Sequence, residues 1–167
     1  MIDFFPKKYK QVSNKKRFGI CDTPPPPANK AYIDDANGQS WIAVVDNFYQ
    51  DLIVFIPVDN CIEIRRSDGT MDNRCDGFLY YDDTVIFVEL KQRNEKGGKW
   101  IKEADNQLRV TIGHFEKEPQ AKEFSVKKAY IANSDRPRFR TSQAIRMDNF
   151  LTETGYSLRI ESRIQIS

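Results

Sequence analysis

Residues 76–91 read Asp76-Gly-Phe-Leu-Tyr-Tyr-Asp-Asp-Thr-Val-Ile-Phe-Val-Glu-Leu-Lys91. Two runs rich in aromatic and β-branched residues flank Asp82-Asp83, so the stretch predicts a β-hairpin. In its second strand Val85, Phe87, Glu89 and Lys91 share one face, and Ile86, Val88 and Leu90 share the other. Both faces are apolar for most of the strand, which predicts a sheet covered on both sides. A two-residue loop pairs Tyr81 with Thr84, Phe78 with Phe87 and Asp76 with Glu89, and a symmetric four-residue loop keeps that register. Slipping the pairing by one residue would send Asp76 to the opposite face from Glu89.

In the unslipped register the two carboxylates are cross-strand neighbours, with Cβ atoms roughly 5 Å apart. Opposed like charges destabilise a hairpin, and burial raises the cost. A cation between them removes the conflict. An all-oxygen site of two carboxylates, waters and a phosphate suits Mg²⁺. Lys91 follows Glu89 on the same face, where it can balance charge or meet a water and a phosphate oxygen.

Outward from the hairpin, residues 1–30 read as a basic, proline-rich arm. Lys7, Lys8, Lys10, Lys15, Lys16 and Arg17 precede Pro24 to Pro27, a run that favours extended polyproline conformation. This arm is either a solvated tail or a phosphate-touching extension. Residues 31–167 read as one α/β domain. Trp41, Val44, Val45, Phe48 and Leu52 lie at helical spacing from Asp34 or Asp35 onward. Leu52 to Ile56 could end that helix or open a strand, and Pro57 stops either. Cys61 to Arg65 is a short strand candidate, and Ser67 to Thr70 is a turn.

After Gly97-Gly98, Ile101, Ala104, Leu108, Ile112 and Phe115 mark a helix over about Lys99 to Phe115. Val126 to Ala132 reads as a strand and Thr141 to Thr154 as a helix stopped by Gly155. Tyr156 to Ile166 reads as the last strand. The order predicts a mixed central sheet flanked by helices.

Bulk composition narrows the field without choosing a partner. At 167 residues, the chain supports one domain with a substantial core. A net charge of +2 leaves any polyanion site to local clustering. Cys21, Cys61 and Cys75 have neither an even count nor metal-type spacing; they read as reduced thiols of a cytoplasmic protein. No apolar run is long enough for a signal peptide or a bilayer span, so no membrane partner is expected.

Asp76 with Gly77, Val88-Glu89-Leu90-Lys91 and a following helix containing Gln107 resemble the PD-(D/E)XK nuclease superfamily over about residues 40–132. The resemblance implies a restriction-endonuclease-like core. It also implies Mg²⁺ or Mn²⁺ held by Asp76 and Glu89, with the Leu90 carbonyl as a further ligand. Lys91 would position the hydrolytic water and stabilise transition-state charge, Gln107 would orient the site or contact the nucleic acid, and cleavage would leave a 5′-phosphate. Cys75 replaces the nominal proline. Thr111 stands where the glutamine-bearing branch has tyrosine. A first-helix acid has no clear match, with Asp46, Asp51 and Glu63 as candidates.

The expected activity is metal-dependent hydrolysis of a phosphodiester in a nucleic acid, with DNA favoured. The alternative is an inactive nucleic-acid-binding or protein-interaction adaptor on the same fold. Handling a duplex would call for a homodimer or a partner protein at this size, although no residue specifies one. Arg93, Lys96, Lys99 and Lys102 form either a solvated loop or the lining of a strand groove. Arg136, Arg138 and Arg140, interleaved with Pro137 and Phe139, are either a polar loop or a nucleic-acid contact. His114 reads as a capping or surface residue.

Overall fold

The structure is a computed structural model and describes residues 1–23, 27–92, 98–135 and 143–167. The chain runs through β1 (Gln11–Ser13), β2 (Arg17–Cys21), β3 (Tyr32–Asp34), β4 (Ala43–Asp46), β5 (Ile53–Pro57), β6 (Gly77–Tyr81) and β7 (Thr84–Lys91). It continues through α1 (Lys99–Phe115), β8 (Val126–Asn133), α2 (Ala144–Thr154), β9 (Ser157–Ile160) and β10 (Arg163–Gln165). Two mixed sheets result, one ordered β1-β5-β6-β7-β8-β9 and the other β10-β4-β2-β3. The class is α/β.

All eight residues of β7 are buried, which its two apolar faces require. Val85 and Phe87 join the core built with Ile101, Ala104, Leu108, Ile112 and Phe115 of α1. Ile86, Val88 and Leu90 join a second core with Phe18, Ile20, Ala43, Val45 and Ile164 of the smaller sheet. Among the described residues, helices therefore cover one face only. The expectation of a sheet flanked by helices is corrected on the other face, where a second sheet takes the helices' place.

The hairpin keeps the register its loop dictates, with Tyr81 opposite Thr84 and Phe78 opposite Phe87. Asp82 supports the turn at φ 47°. Helix α1 occupies the predicted span, and Gly155 closes α2 at φ 80° with its N–H donating to the Leu151 carbonyl. Of the predicted α2 span, residues 141 and 142 lie outside the described residues.

The helix expected from residue 34 onward does not form. A short turn at Gly38–Ser40 leads into β4, and Leu52 only precedes β5. Residues 43–46 alternate between buried and half-buried, the period of a strand. Phe48 and Leu52, which completed the helical pattern, are 71% and 61% exposed. Helical spacing there was coincidental, and the β-branched Val44 and Val45 suit a strand better. Cys61 to Arg65 is also not a strand; only an isolated Arg65–Met71 bridge spans the turn, with Gly69 at φ 88°. The predicted last strand divides at Glu161-Ser162, giving β9 to the large sheet and β10 to the small one.

Residues 1–23 of the expected arm are built into the fold, and Pro24 to Pro26 of its proline run lie outside the described residues. Strand β1 forms an edge of the large sheet against β5, and β2 lies between β3 and β4. Phe4 is 1% exposed, with its ring 5.2 Å from that of Phe115 and 6.4 Å from that of Phe78. Short strands interrupted by lysines carry too little periodicity to be read locally. Replacing Phe4 with Ala should cost about 3–5 kcal/mol in urea unfolding, the range for a buried phenylalanine. A cost under about 0.5 kcal/mol, as on an exposed surface, would restore the arm.

Candidate functional site

Strand β7 outruns its antiparallel partner. The β6–β7 pairing begins at Gly77–Val88, so Glu89, Leu90 and Lys91 are paired only with Ile131, Ala132 and Asn133 of β8. Asp76 is the residue just before β6, at the position that continues the ladder opposite Glu89. Gly77 lets this end close. A Cβ there would stand 2.5 Å from the Phe55 ring and 2.8 Å from the Ile56 carbonyl oxygen.

The carboxylates are bound into each other's backbone. The Asp76 N–H donates to Glu89 Oε1 at 3.1 Å, and the Leu90 N–H donates to Asp76 Oδ2 at 2.7 Å. Lys91 Nζ lies 3.1 Å from Glu89 Oε2 and donates to Gln107 Oε1 at 2.9 Å. Gln107 Nε2 in turn donates to the Arg74 carbonyl at 3.4 Å. One helical turn on, Thr111 Oγ1 accepts the Cys75 N–H at 2.8 Å. Thr111, at the position where the resembled branch carries tyrosine, thus tethers α1 to the segment that delivers Asp76. Asp76, Glu89, Lys91 and Gln107 come together as one connected group. Asp76 is 9%, Glu89 2% and Lys91 9% exposed.

Burial pushes the Asp76 carboxyl well above the usual carboxylate range, and the charge of Glu89 adds to it. Burial also raises Glu89, while Lys91 opposes the shift. Burial thus works against ionising either carboxyl, and the Lys91 ammonium favours the charged form of Glu89.

A further carboxyl that sequence reasoning missed comes close to Asp76. Asp22 follows β2 directly, and its side chain makes hydrogen-bonding contact with Asp76. Its pKa is pushed up to about 7, first by burial and then by the charge of Asp76. The one local signal was a parallel: Cys21-Asp22 ends an apolar run much as Cys75-Asp76 opens one. The proposed third acids are engaged elsewhere. Asp46 pairs with Arg17 and Arg163, Glu63 is exposed beside Arg65, and the Asp51 backbone is held by the Asn47 side chain in the β4–β5 turn.

Lys99 and Lys102 are exposed on the first turn of α1. Arg93 and Lys96 lie outside the described residues, as do Arg136, Pro137, Arg138, Phe139 and Arg140. His114 binds Asp72 at 3.0 Å, tying α1 to the loop after the Gly69 turn rather than to the carboxylates.

Among the described residues, no three His, Cys, Asp or Glu side chains converge in a metal-ligating arrangement. Asp76 and Glu89 are nonetheless hard oxygen donors, buried in contact, with Lys91 as their buried cation. Their donor chemistry fits a divalent cation that draws its remaining ligands from main chain, water or substrate. No helix among the described residues is long and apolar enough to cross a membrane. The chain matches no family model, no curated protein and no solved structure.

The raised pKa of Asp22 has a consequence for stability. Between about pH 4 and about pH 7 the folded protein holds a proton here that the unfolded chain releases. Stability contributed by this group is full below the unfolded value and is lost as pH rises through the folded one. In EDTA, the melting temperature of Asp22→Asn should fall less steeply across that window than that of the wild type. Parallel pH profiles for the two proteins would show that Asp22 titrates normally.

Proposed function

We propose that this protein is a metal-dependent nuclease of the PD-(D/E)XK type, hydrolysing phosphodiester bonds in DNA. The observation that carries the reading is the buried Asp76–Glu89 pair with Lys91 beside it, held by Gln107 from the helix that follows. A restriction-endonuclease-like core belongs to the same proposal. It is supported by the order β6, β7, α1, β8 and by the parallel pairing of β7 with β8.

Asp76 and Glu89 would hold Mg²⁺ or Mn²⁺ together with the Leu90 carbonyl. Bound there, the cation would polarise the phosphate and lower the pKa of its water. The protein's own part is positional and electrostatic. Glu89 and Gln107 fix the Lys91 ammonium from two sides, leaving it one N–H to aim at the attacking water or at a phosphate oxygen as negative charge develops. The Leu90 N–H fixes Asp76, so neither carboxylate needs to reorganise when substrate arrives. Burial strengthens each of these interactions relative to water.

Calorimetry with Mg²⁺ and Mn²⁺, alongside cleavage of single- and double-stranded DNA, tests the reading. Asp76→Ala and Glu89→Ala should lose both metal binding and cleavage. Lys91→Ala should keep metal binding while cleavage falls about 100-fold or more, the scale for losing a preorganised charge stabiliser. Wild-type activity in all three variants would sink the assignment. Absence of metal binding by the wild type would shift the reading to an inactive adaptor on the same fold.

A further inference from the structure

At the far end of β2 from Asp22, the turn between β4 and β5 displays two aromatic rings to solvent. Phe48 is 71% and Tyr49 74% exposed. Their centroids are 5.1 Å apart in an edge-to-face arrangement that leaves ring surface uncovered. Exposed aromatics on a loose loop would mean little, but this turn is built. Asn47, fully buried, donates through Nδ2 to the carbonyls of Lys15 and Asp51 and accepts the Asp51 N–H. The Asn47 N–H reaches the Lys16 carbonyl, and Gln50, at φ 56°, bonds the Asn14 carbonyl through its side chain. A buried asparagine and a left-handed glutamine thus hold two rings where they gain no burial of their own.

The surroundings are cationic. The Lys16 ammonium stands 6.0 Å from the Phe48 ring centroid. An open groove of about 460 Å³ runs beside that ring, lined by Lys16, Arg17, Asp46, Phe48, Arg163 and Gln165. Arg17 and Arg163 are both paired with the single carboxylate Asp46. Lys15 and Lys16 add to a positive balance.

We infer that the Phe48–Tyr49 turn is a stacking platform for unpaired bases of a single-stranded nucleic acid, with Lys15, Lys16 and the groove arginines taking its phosphates. Every base has a face that an aromatic ring can stack on, so such a platform recognises strands without reading sequence. Bases inside a duplex are already stacked and offer no such face, which selects single strands. The choice of a polynucleotide rests in part on the nuclease reading. The platform itself is separate from the carboxylate centre, since the five residue-to-residue steps from Arg17 to Asp22 span about 17 Å along an extended strand.

The test is fluorescence anisotropy with a fluorescein-labelled mixed-sequence single-stranded DNA of about 20 nucleotides, in EDTA so that the carboxylate centre takes no metal. Binding by Phe48→Ala/Tyr49→Ala should weaken by roughly 5- to 100-fold, as loss of base stacking predicts. Lys16→Ala should weaken binding and reduce its salt dependence. Circular dichroism of each variant should match the wild type, because both rings lie outside the core. Equal affinity of the double variant and the wild type would overturn the platform. So would a wild type that binds no single strand, or a self-association that the double variant abolishes while its DNA affinity stays unchanged. A protein that cleaves DNA but ignores these substitutions loses the platform and keeps the nuclease. One that binds through the platform but takes no metal does the reverse.

Discussion

Strand β7 lies between two cores and is buried along its whole length, yet it ends in Glu-Leu-Lys. Placing ionisable groups in such a strand is costly unless each finds a partner. Here every polar group near the end of β7 has one. Glu89 faces Lys91 and the Asp76 N–H, Asp76 takes the Leu90 N–H, and Lys91 is shared with Gln107. The main-chain bonds at Asp76 and Leu90 fix the carboxylates relative to the sheet rather than to mobile side chains.

That constraint shapes the surrounding architecture. Helix α1 must lie close enough for Gln107 to reach Lys91 and for Thr111 to reach the Cys75 backbone, so one helix face both fills the core and delivers polar groups. On the opposite face the smaller sheet seals Ile86, Val88 and Leu90, and its β2 brings Asp22 to the same end. The β6–β7 hairpin thus carries Asp76, Glu89 and Lys91, α1 adds Gln107, and the smaller sheet leads into Asp22 beside Asp76. The chain reinforces the layering by passing from β9 into β10 across the sheets, with the Ser162 carbonyl accepting the Val44 N–H at 2.7 Å.

The lysine-rich N-terminal segment shows how charge can disguise a structural role. Its basic side chains point outward while Phe4, Phe18 and Ile20 are buried. Strands β1 and β2 occupy different sheets, so the first 21 residues help to hold the layers together rather than hanging beside them. A composition shift is a weak guide to a domain boundary when short strands alternate between apolar and cationic positions.

Much of the candidate site was legible in the sequence because it is local. A hairpin's register follows from its loop and from the two-residue period of its strands, so Asp76 and Glu89 could be placed opposite each other from residues 76–91 alone. The span of α1 followed from its apolar stripe, and Gln107 followed from that span. What only the tertiary structure decided is non-local. Asp22 meets Asp76 across more than fifty residues, β4 and β5 take the place of an apparent helix, and a second sheet covers the face where helices were expected. Sequence periodicity reports which side of an element is buried, but not what buries it. Strand pairings between distant segments are selected by the packing of the whole core, and that selection leaves no periodic trace in the chain.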